Sequence, residues 1–285
     1  REPATLDLIV ASGMLTSEVG LLTVPHLDAP AGLDELARAV VVRTVPEIGA
    51  QPIHFVPGLR TPPEDGPDGW MRADVMRGEE CETLGAWFAL VDRGHVPTDR
   101  GLAFLWPGSH TKLVEVDQQG KIARSQTSLA GEFVQAIARH TLIAASLPAA
   151  LPDRLDQGAA EAGARADREQ GLERAAFLVR LAALGNTMSP EERAAFWIGA
   201  VVADDVGHLL RHPMLAERRP VFVGGREPLR TWYARWLGEL HDGPVTALDH
   251  VLAEGASALG VWAITFRQRA ASRSSGASAL AEPAP

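Results

Sequence analysis

Two stretches concentrate the residues able to do chemistry. Residues 75–85 read V-M-R-G-E-E-C-E-T-L-G, and residues 103–117 read A-F-L-W-P-G-S-H-T-K-L-V-E-V-D. In the first, Gly78 precedes Glu79 and Glu80, then an apolar run of Leu84, Trp87, Phe88 and Val91 at helical spacing. That pattern predicts a helix N-terminus, where acidic side chains offset the helix dipole. A carboxylate facing a cleft could instead take a proton from a substrate hydroxyl. Arg77 beside it could fork onto a substrate carboxylate, or pair with a neighbouring acid.

The second stretch sets an apolar run (103–106) and an alternating run (113–117) on either side of Pro107-Gly108, which predicts strand, turn and strand. Gly108, Ser109, His110 and Lys112 cluster at the tip. A glycine, small polar residues and one cation on free backbone N–H groups can cradle phosphate. The same residues also make an ordinary solvated hairpin turn. Lys112 stands out because the chain has only one other lysine, Lys121.

Together, V-M-R-G-E-E-x-x-x-x-G-A and W-P-G-S-H-T-K-x-V resemble the 2-dehydro-3-deoxygalactonokinases, sugar-acid kinases of the actin-like ATPase superfamily. Three further segments are similar to that family in the same order. They are A-S-G-M-L-T-S-x-V-G (11–20), L-A-G-E-F with H-T-L-I-A-A-S-L-P (129–148), and G-L-E-R with F-W-I-G-A (171–200). The likeness runs over about residues 6–266. Five ordered blocks are far more specific than a lone G-E-E or P-G-S.

The resemblance implies an α/β chain with the actin-like ATPase (ribonuclease H-like) two-lobed fold, its N-terminal lobe incomplete. Residues 1–100 would be the remainder of a sugar-binding lobe and 101–269 a nucleotide-binding lobe. It implies an ATP- and Mg2+-dependent kinase acting on the terminal hydroxyl of 2-dehydro-3-deoxy-D-galactonate, in a cleft between the lobes. Glu79 falls where related sugar kinases carry the aspartate of a G-D-Q turn, so it is the expected base, a placement open by one residue to Glu80. Ser12, Gly13, Met14, Arg77 and Glu80 are expected at the sugar acid. Gly108, Ser109, His110, Lys112, Gly131, Gly224 and Gly225 are expected at the nucleotide and its phosphates. The metal ligands are unassigned.

One departure matters. The family opens with a strand and a D-x-G-S/T-S/T turn that grips phosphate and organises magnesium, and nothing in residues 1–20 matches it. With the chain opening on Arg1, we expect a missing or separate upstream segment. The other reading is a true loss, which would leave a catalytically inactive sugar-acid or nucleotide-binding regulatory homologue.

The elements that must position these groups are read from periodicity. A strand over 6–11 ends in Ser12-Gly13-Met14, at a strand's C-terminal end where open α/β sheets place ligands; the plainer reading buries Met14 in the core. A helix over 33–40, strands over 41–45 and 53–56, and a loop over 61–71 lead to Gly78. After the hairpin come a strand over 121–125 and a helix starting near Gly131, whose free N–H groups could meet phosphate or sugar oxygens. Residues 148–168, rich in Ala, Pro, Asp and Gly, predict a loop with at most one weak helix. Helices follow over 172–184 and from Pro190, the latter with a Ser189–Glu192 capping box and an end before Pro213. A strand over 220–225 ends in Gly224-Gly225, a helix spans 228–240, an edge strand 245–248 and a helix 251–266. Residues 270–285 carry no apolar period and predict a disordered tail. Asp204, His208 and His212 fall four apart like metal ligands, and are read as a solvated helix end instead.

Composition narrows the classes. A chain of 285 residues can bury one large or two medium cores. A net charge of −9 argues against a general nucleic-acid binder. Cys81 is the sole cysteine, which excludes an internal disulfide and fits a cytoplasmic setting. Its plainer role is a small buried packing residue. No apolar run is long enough to span a bilayer and no basic-then-apolar leader is visible. The quaternary state is open, a homodimer included.

Overall fold

The computed structural model describes residues 6–95 and 101–278. The fold is mixed α/β. In chain order the strands and helices are β1 (Ile9–Ala11), β2 (Leu27–Asp28), α1 (Leu33–Ala39), β3 (Val41–Thr44), β4 (Pro52–Phe55), β5 (Leu59–Thr61), β6 (Asp74–Met76), α2 (Glu79–Asp92), β7 (Leu102–Trp106), β8 (Thr111–Val116), β9 (Ile122–Ser128), α3 (Ala130–His140), α4 (Gln157–Gln170), α5 (Leu172–Leu184), α6 (Pro190–Leu209), β10 (Val221–Val223), α7 (Leu229–Leu240), β11 (Val245–Ala247) and α8 (His250–Ser278).

The chain divides into two compact units. Among the described residues, the first holds 6–95, 101, 114–126 and 250–278; the second holds 102–113 and 127–249. The division is therefore not the linear one expected from the sequence, with a break at residue 100. Long-range pairing of α2 with α8 returns the C-terminal helix to the first unit, and no local pattern announces that.

In the first unit, β1 pairs in parallel with β4, which pairs antiparallel with β3. Ala11, Val24, Ile53 and Phe55 form their shared core. A second small sheet runs β2-β5-β6. Helices α2 and α8 touch backbone to backbone: a Cβ on Gly85 would lie 1.9 Å from the Ala256 carbonyl oxygen, and one on Gly260 would lie 1.9 Å from that of Cys81.

The larger sheet runs β11-β10-β7-β8-β9, with β10 parallel to both β11 and β7. All five residues of β7 are buried, as befits a central parallel strand covered on both faces. In the second unit the helices supply most of the core, with Trp197 of α6 and Tyr233 of α7 among its largest fully buried side chains.

Two expectations fail locally. Residues 157–170 form a full 14-residue helix where a loop with at most one weak helix was expected. Asp156 caps it by accepting from the Ala159 N–H at 2.8 Å, and its buried face is Ala159, Ala160, Gly163, Ala164 and Ala166. Small residues make a weak hydrophobic signal but allow a close approach to α6. Helix α8 likewise runs on to Ser278, past the expected start of a tail, although 270–278 holds four Ser and a Gly, which are poor helix formers beside Ala. Residues 279–285 of that expected tail lie outside those described.

Candidate functional site

The first unit brings two of the singled-out turns into contact. Gly13 and Gly78 both have positive φ, +62° and +121°, which glycine adopts at little cost. A Cβ on Gly13 would lie 3.6 Å from the Arg77 carbonyl oxygen, and one on Gly78 would lie 3.5 Å from the Gly13 Cα. Ser12 stands beside the Cys81 thiol. Met14 points outward and is 63% exposed rather than buried in the core, because it sits on a single 3-10 turn at 13–16.

The two glutamates differ sharply. Glu79 is half-buried and its Oε2 accepts from the Arg77 N–H at 3.1 Å. Glu80 is wholly buried. Its Oε2 accepts from the Gly78 N–H at 2.7 Å and its Oε1 from the Cys81 thiol at 3.5 Å. Burial pushes the Glu80 carboxyl up to about 7, against a smaller opposing pull from the backbone N–H groups of Gly78 and Glu80 itself. Burial, and then the Glu80 charge, push the Cys81 thiol well up, so Cys81 is a packing residue.

Arg77 has a different task from the expected one. Its NH1 donates to the Thr16 carbonyl and hydroxyl oxygens at 2.7 Å each, and its NH2 donates to the Val24 carbonyl at 2.9 Å beside the His26 ring. Burial lowers its pKa, with the Glu80 charge opposing. A half-buried guanidinium held this way ties the 13–26 loop to the β6–α2 turn, so Arg77 serves as a strut.

In the second unit three turns meet. Gly131, in the first turn of α3, packs on the hairpin: a Cβ there would lie 2.0 Å from the Gly108 carbonyl oxygen and 2.8 Å from the Ser109 Cα. The Glu132 N–H donates to the Ser109 carbonyl at 2.8 Å, and His110 Nε2 lies 2.8 Å from Glu132 Oε1. Ser109 and His110 are exposed. Lys112 is 3% exposed, and its ammonium donates to the Thr127 hydroxyl. It is thus an internal tie between β8 and β9, because a strand position that faces the interior has carried the cation inward. Gly224 and Gly225 are bare so that Trp106 and Pro107 can approach: a Cβ on Gly224 would fall 2.0 Å from the Trp106 ring, and one on Gly225 2.4 Å from the Pro107 carbonyl oxygen.

Two of these turns, the hairpin and the start of α3, border a cavity of about 550 Å³; Gly224, Gly225, His110 and Lys112 are not in its lining. Gly108, Ser109, Gly131 and Glu132 line one part of it, Pro228 and Leu229 another. Sequence reasoning passed over most of its remaining wall, the α3 face of Gln135, Arg139 and His140 together with Asp153. The amphipathic spacing of 130–140 was the available signal, and only the start of that helix had been read for ligand contacts.

Residues 2–264 match the family model described as 2-keto-3-deoxy-galactonokinase. The chain belongs to this family. A 2-dehydro-3-deoxygalactonokinase of Escherichia coli (strain K12) is 29% identical over 206 residues, covering 70% of this chain and 61% of that protein. A Rhizobium meliloti (strain 1021) protein named for the same activity is 30% identical over 141 residues, covering 50% of this chain and 40% of its own length. The chain thus spans about three-fifths or less of these curated relatives. The crystal structure of a Sinorhizobium meliloti protein carrying the same family name has a TM-score of 0.70 at 26% identity, covering 92% of this chain and 80% of that one.

Within this galactonokinase family member, no helix among the described residues is long and apolar enough to cross a membrane. Among the same residues no three His, Cys, Asp or Glu side chains are grouped to hold a metal ion. Magnesium in phosphoryl transfer does not require such a group, since it keeps waters and substrate phosphates and takes one or two carboxylates. Glu132 and Asp153 are carboxylates lining the cavity.

Proposed function

We propose that this chain carries the sugar-acid and nucleotide sites of a kinase that phosphorylates the terminal hydroxyl of 2-dehydro-3-deoxy-D-galactonate with ATP. The observation that carries this is the pairing, in one family member, of a buried and a half-buried carboxylate on touching glycine turns with a hairpin–helix cavity of nucleotide size.

The roles follow from chemistry. Glu79, the less buried of the pair, takes the proton from the substrate hydroxyl as the oxygen–phosphorus bond forms and the bond from the γ-phosphorus to ADP breaks. Glu80 holds the Gly78 N–H and so fixes where Glu79 stands. Ser12, Gly13 and Met14 border the sugar acid. Backbone N–H groups at Gly108, Ser109 and Gly131, with His110, meet the phosphates. Gly224 and Gly225 let the next loop, through Pro228 and Leu229, close on the nucleoside. Magnesium, held by the phosphates with Glu132 or Asp153, would neutralise the charge that develops on the transferring group. Catalysis is then mostly positioning and charge stabilisation.

The test is ADP release by the full natural chain with 2-dehydro-3-deoxy-D-galactonate. Glu79→Gln should lower kcat about 10²- to 10⁴-fold, the range for a positioned general base. Equal rates would remove Glu79 from the mechanism. Calorimetric binding of sugar acid without any turnover would make the protein a binding module and end the kinase reading.

A further inference from the structure

Behind the cavity, Tyr233 of α7 is buried, as are Thr111 and Asp205. The Tyr233 hydroxyl donates to Asp205 Oδ2 at 2.5 Å, and the Thr111 hydroxyl lies 3.1 Å from the Tyr233 oxygen. An ionised carboxylate offers only lone pairs, so Tyr233 must donate to Asp205 and Thr111 must donate to Tyr233. The chain of protons has one direction, and it ends on the residue that follows the hairpin tip 108–110. Each of the three elements joined in this way also lines the cavity: the hairpin through Ser109, α6 through Ile198 and α7 through Leu229.

We propose that Tyr233 is a positioning residue for the phosphate-binding hairpin, anchored by Asp205 and acting through Thr111. This rests on the nucleotide reading of the cavity. None of Thr111, Asp205 and Tyr233 lines the cavity. Its effect is on the fraction of molecules whose hairpin stands where phosphate can be met, and the apparent affinity falls as that fraction falls. Ser109 and His110 are exposed; the hairpin is otherwise held by the first turn of α3, by Gly225 packed on Pro107 and by Lys112 on Thr127. Losing one buried hydrogen bond to a charge-anchored partner should reduce the competent fraction about tenfold.

The test uses the full natural chain, a non-hydrolysable ATP analogue and calorimetry, with amide hydrogen exchange at 108–111 in the ligand-free protein. Tyr233→Phe and Thr111→Val should each weaken analogue binding about tenfold and speed exchange at 108–111, leaving sugar-acid affinity unchanged. Thr111→Ser, which keeps the hydroxyl, should restore both. Where Tyr233→Phe does not fold, the two Thr111 variants decide alone. Variants that lose stability but keep wild-type analogue affinity and exchange would overturn the proposal, as would Thr111→Ser behaving like Thr111→Val. A wild-type protein that binds no nucleotide would defeat the parent reading and this one with it. Wild-type binding with unaffected variants would defeat this one alone.

Discussion

Replacing Gly131 with alanine gives the sharpest test of how the proposed phosphate cradle is built. The new Cβ would fall 2.0 Å from the Gly108 carbonyl oxygen and 2.8 Å from the Ser109 Cα. Ordinary carbon–oxygen contact begins at about 3.3 Å, so the hairpin and α3 must part by about 1.3 Å. Backbone lies on both sides, so no side chain can swing aside to relieve the clash. Overpacking of this kind costs about 1–3 kcal/mol of stability. The larger effect should be kinetic, because a displacement of about 1 Å in groups that position a reacting centre costs about 10²-fold. The Glu132 N–H bond to Ser109 would go with it. The assay is steady-state kinetics with ATP and sugar acid varied in turn, alongside denaturant unfolding. We expect kcat/KM for ATP to fall about a hundredfold, with sugar-acid KM little changed. A folded Gly131→Ala protein with wild-type ATP kinetics would refute the argument that this contact sets the cradle.

The remaining predictions concern the first unit. Glu80 has a folded pKa of about 7 against an ordinary 4.5, so the native chain holds its proton to higher pH than the unfolded chain does. Its stabilising contribution is complete below about pH 4.5 and is lost as pH rises through about 7, some ~3 kcal/mol in order of magnitude. Glu80→Gln should flatten the fall in urea midpoint across that window, and parallel wild-type and variant curves would sink the idea. Gly85→Ala puts a Cβ 1.9 Å from the Ala256 carbonyl oxygen and should destabilise by about 3 kcal/mol in urea unfolding; an unchanged midpoint would mean that α2 and α8 can separate freely. Arg77→Lys keeps the charge but not the fork that reaches Thr16 and Val24. It should cost about 2 kcal/mol and speed proteolytic cutting at 17–22, and an unaltered digestion pattern would argue against the strut.

Where a local rule decides the structure, the sequence was a good guide. Gly78 followed by two glutamates marked the start of α2, and Ser189 with Glu192 marked that of α6, where the reciprocal capping bonds are present at 3.1 and 2.6 Å. Helix α5 has the expected bounds, and β7 is the buried run its composition implied. The failures share a cause: partners distant in sequence decided the outcome. Helix α4 has an alanine and glycine face that makes sense only against α6. Gly224 and Gly225 were expected at the nucleotide, and their lack of a Cβ also admits Trp106 and Pro107. Arg77 and Lys112 looked like ligand-facing cations, and each turned to a hydroxyl or carbonyl of its own chain. Tyr233 falls inside the predicted 228–240 helix, where nothing local singles it out. Its hydroxyl, and the neighbouring Asp205, gained meaning only once α6, α7 and the hairpin were packed together.

Helix α8 carries a consequence for biosynthesis. The ribosome makes α2 early, yet the carbonyls and glycines that receive it lie near residues 256 and 260. Everything through Asp249, the whole of the second unit included, emerges first. Through that interval the nascent chain must carry α2 with one side uncovered, a hazard for aggregation during translation. A nonsense codon shortly after codon 249 would therefore leave the second unit its own contacts and the first unit open.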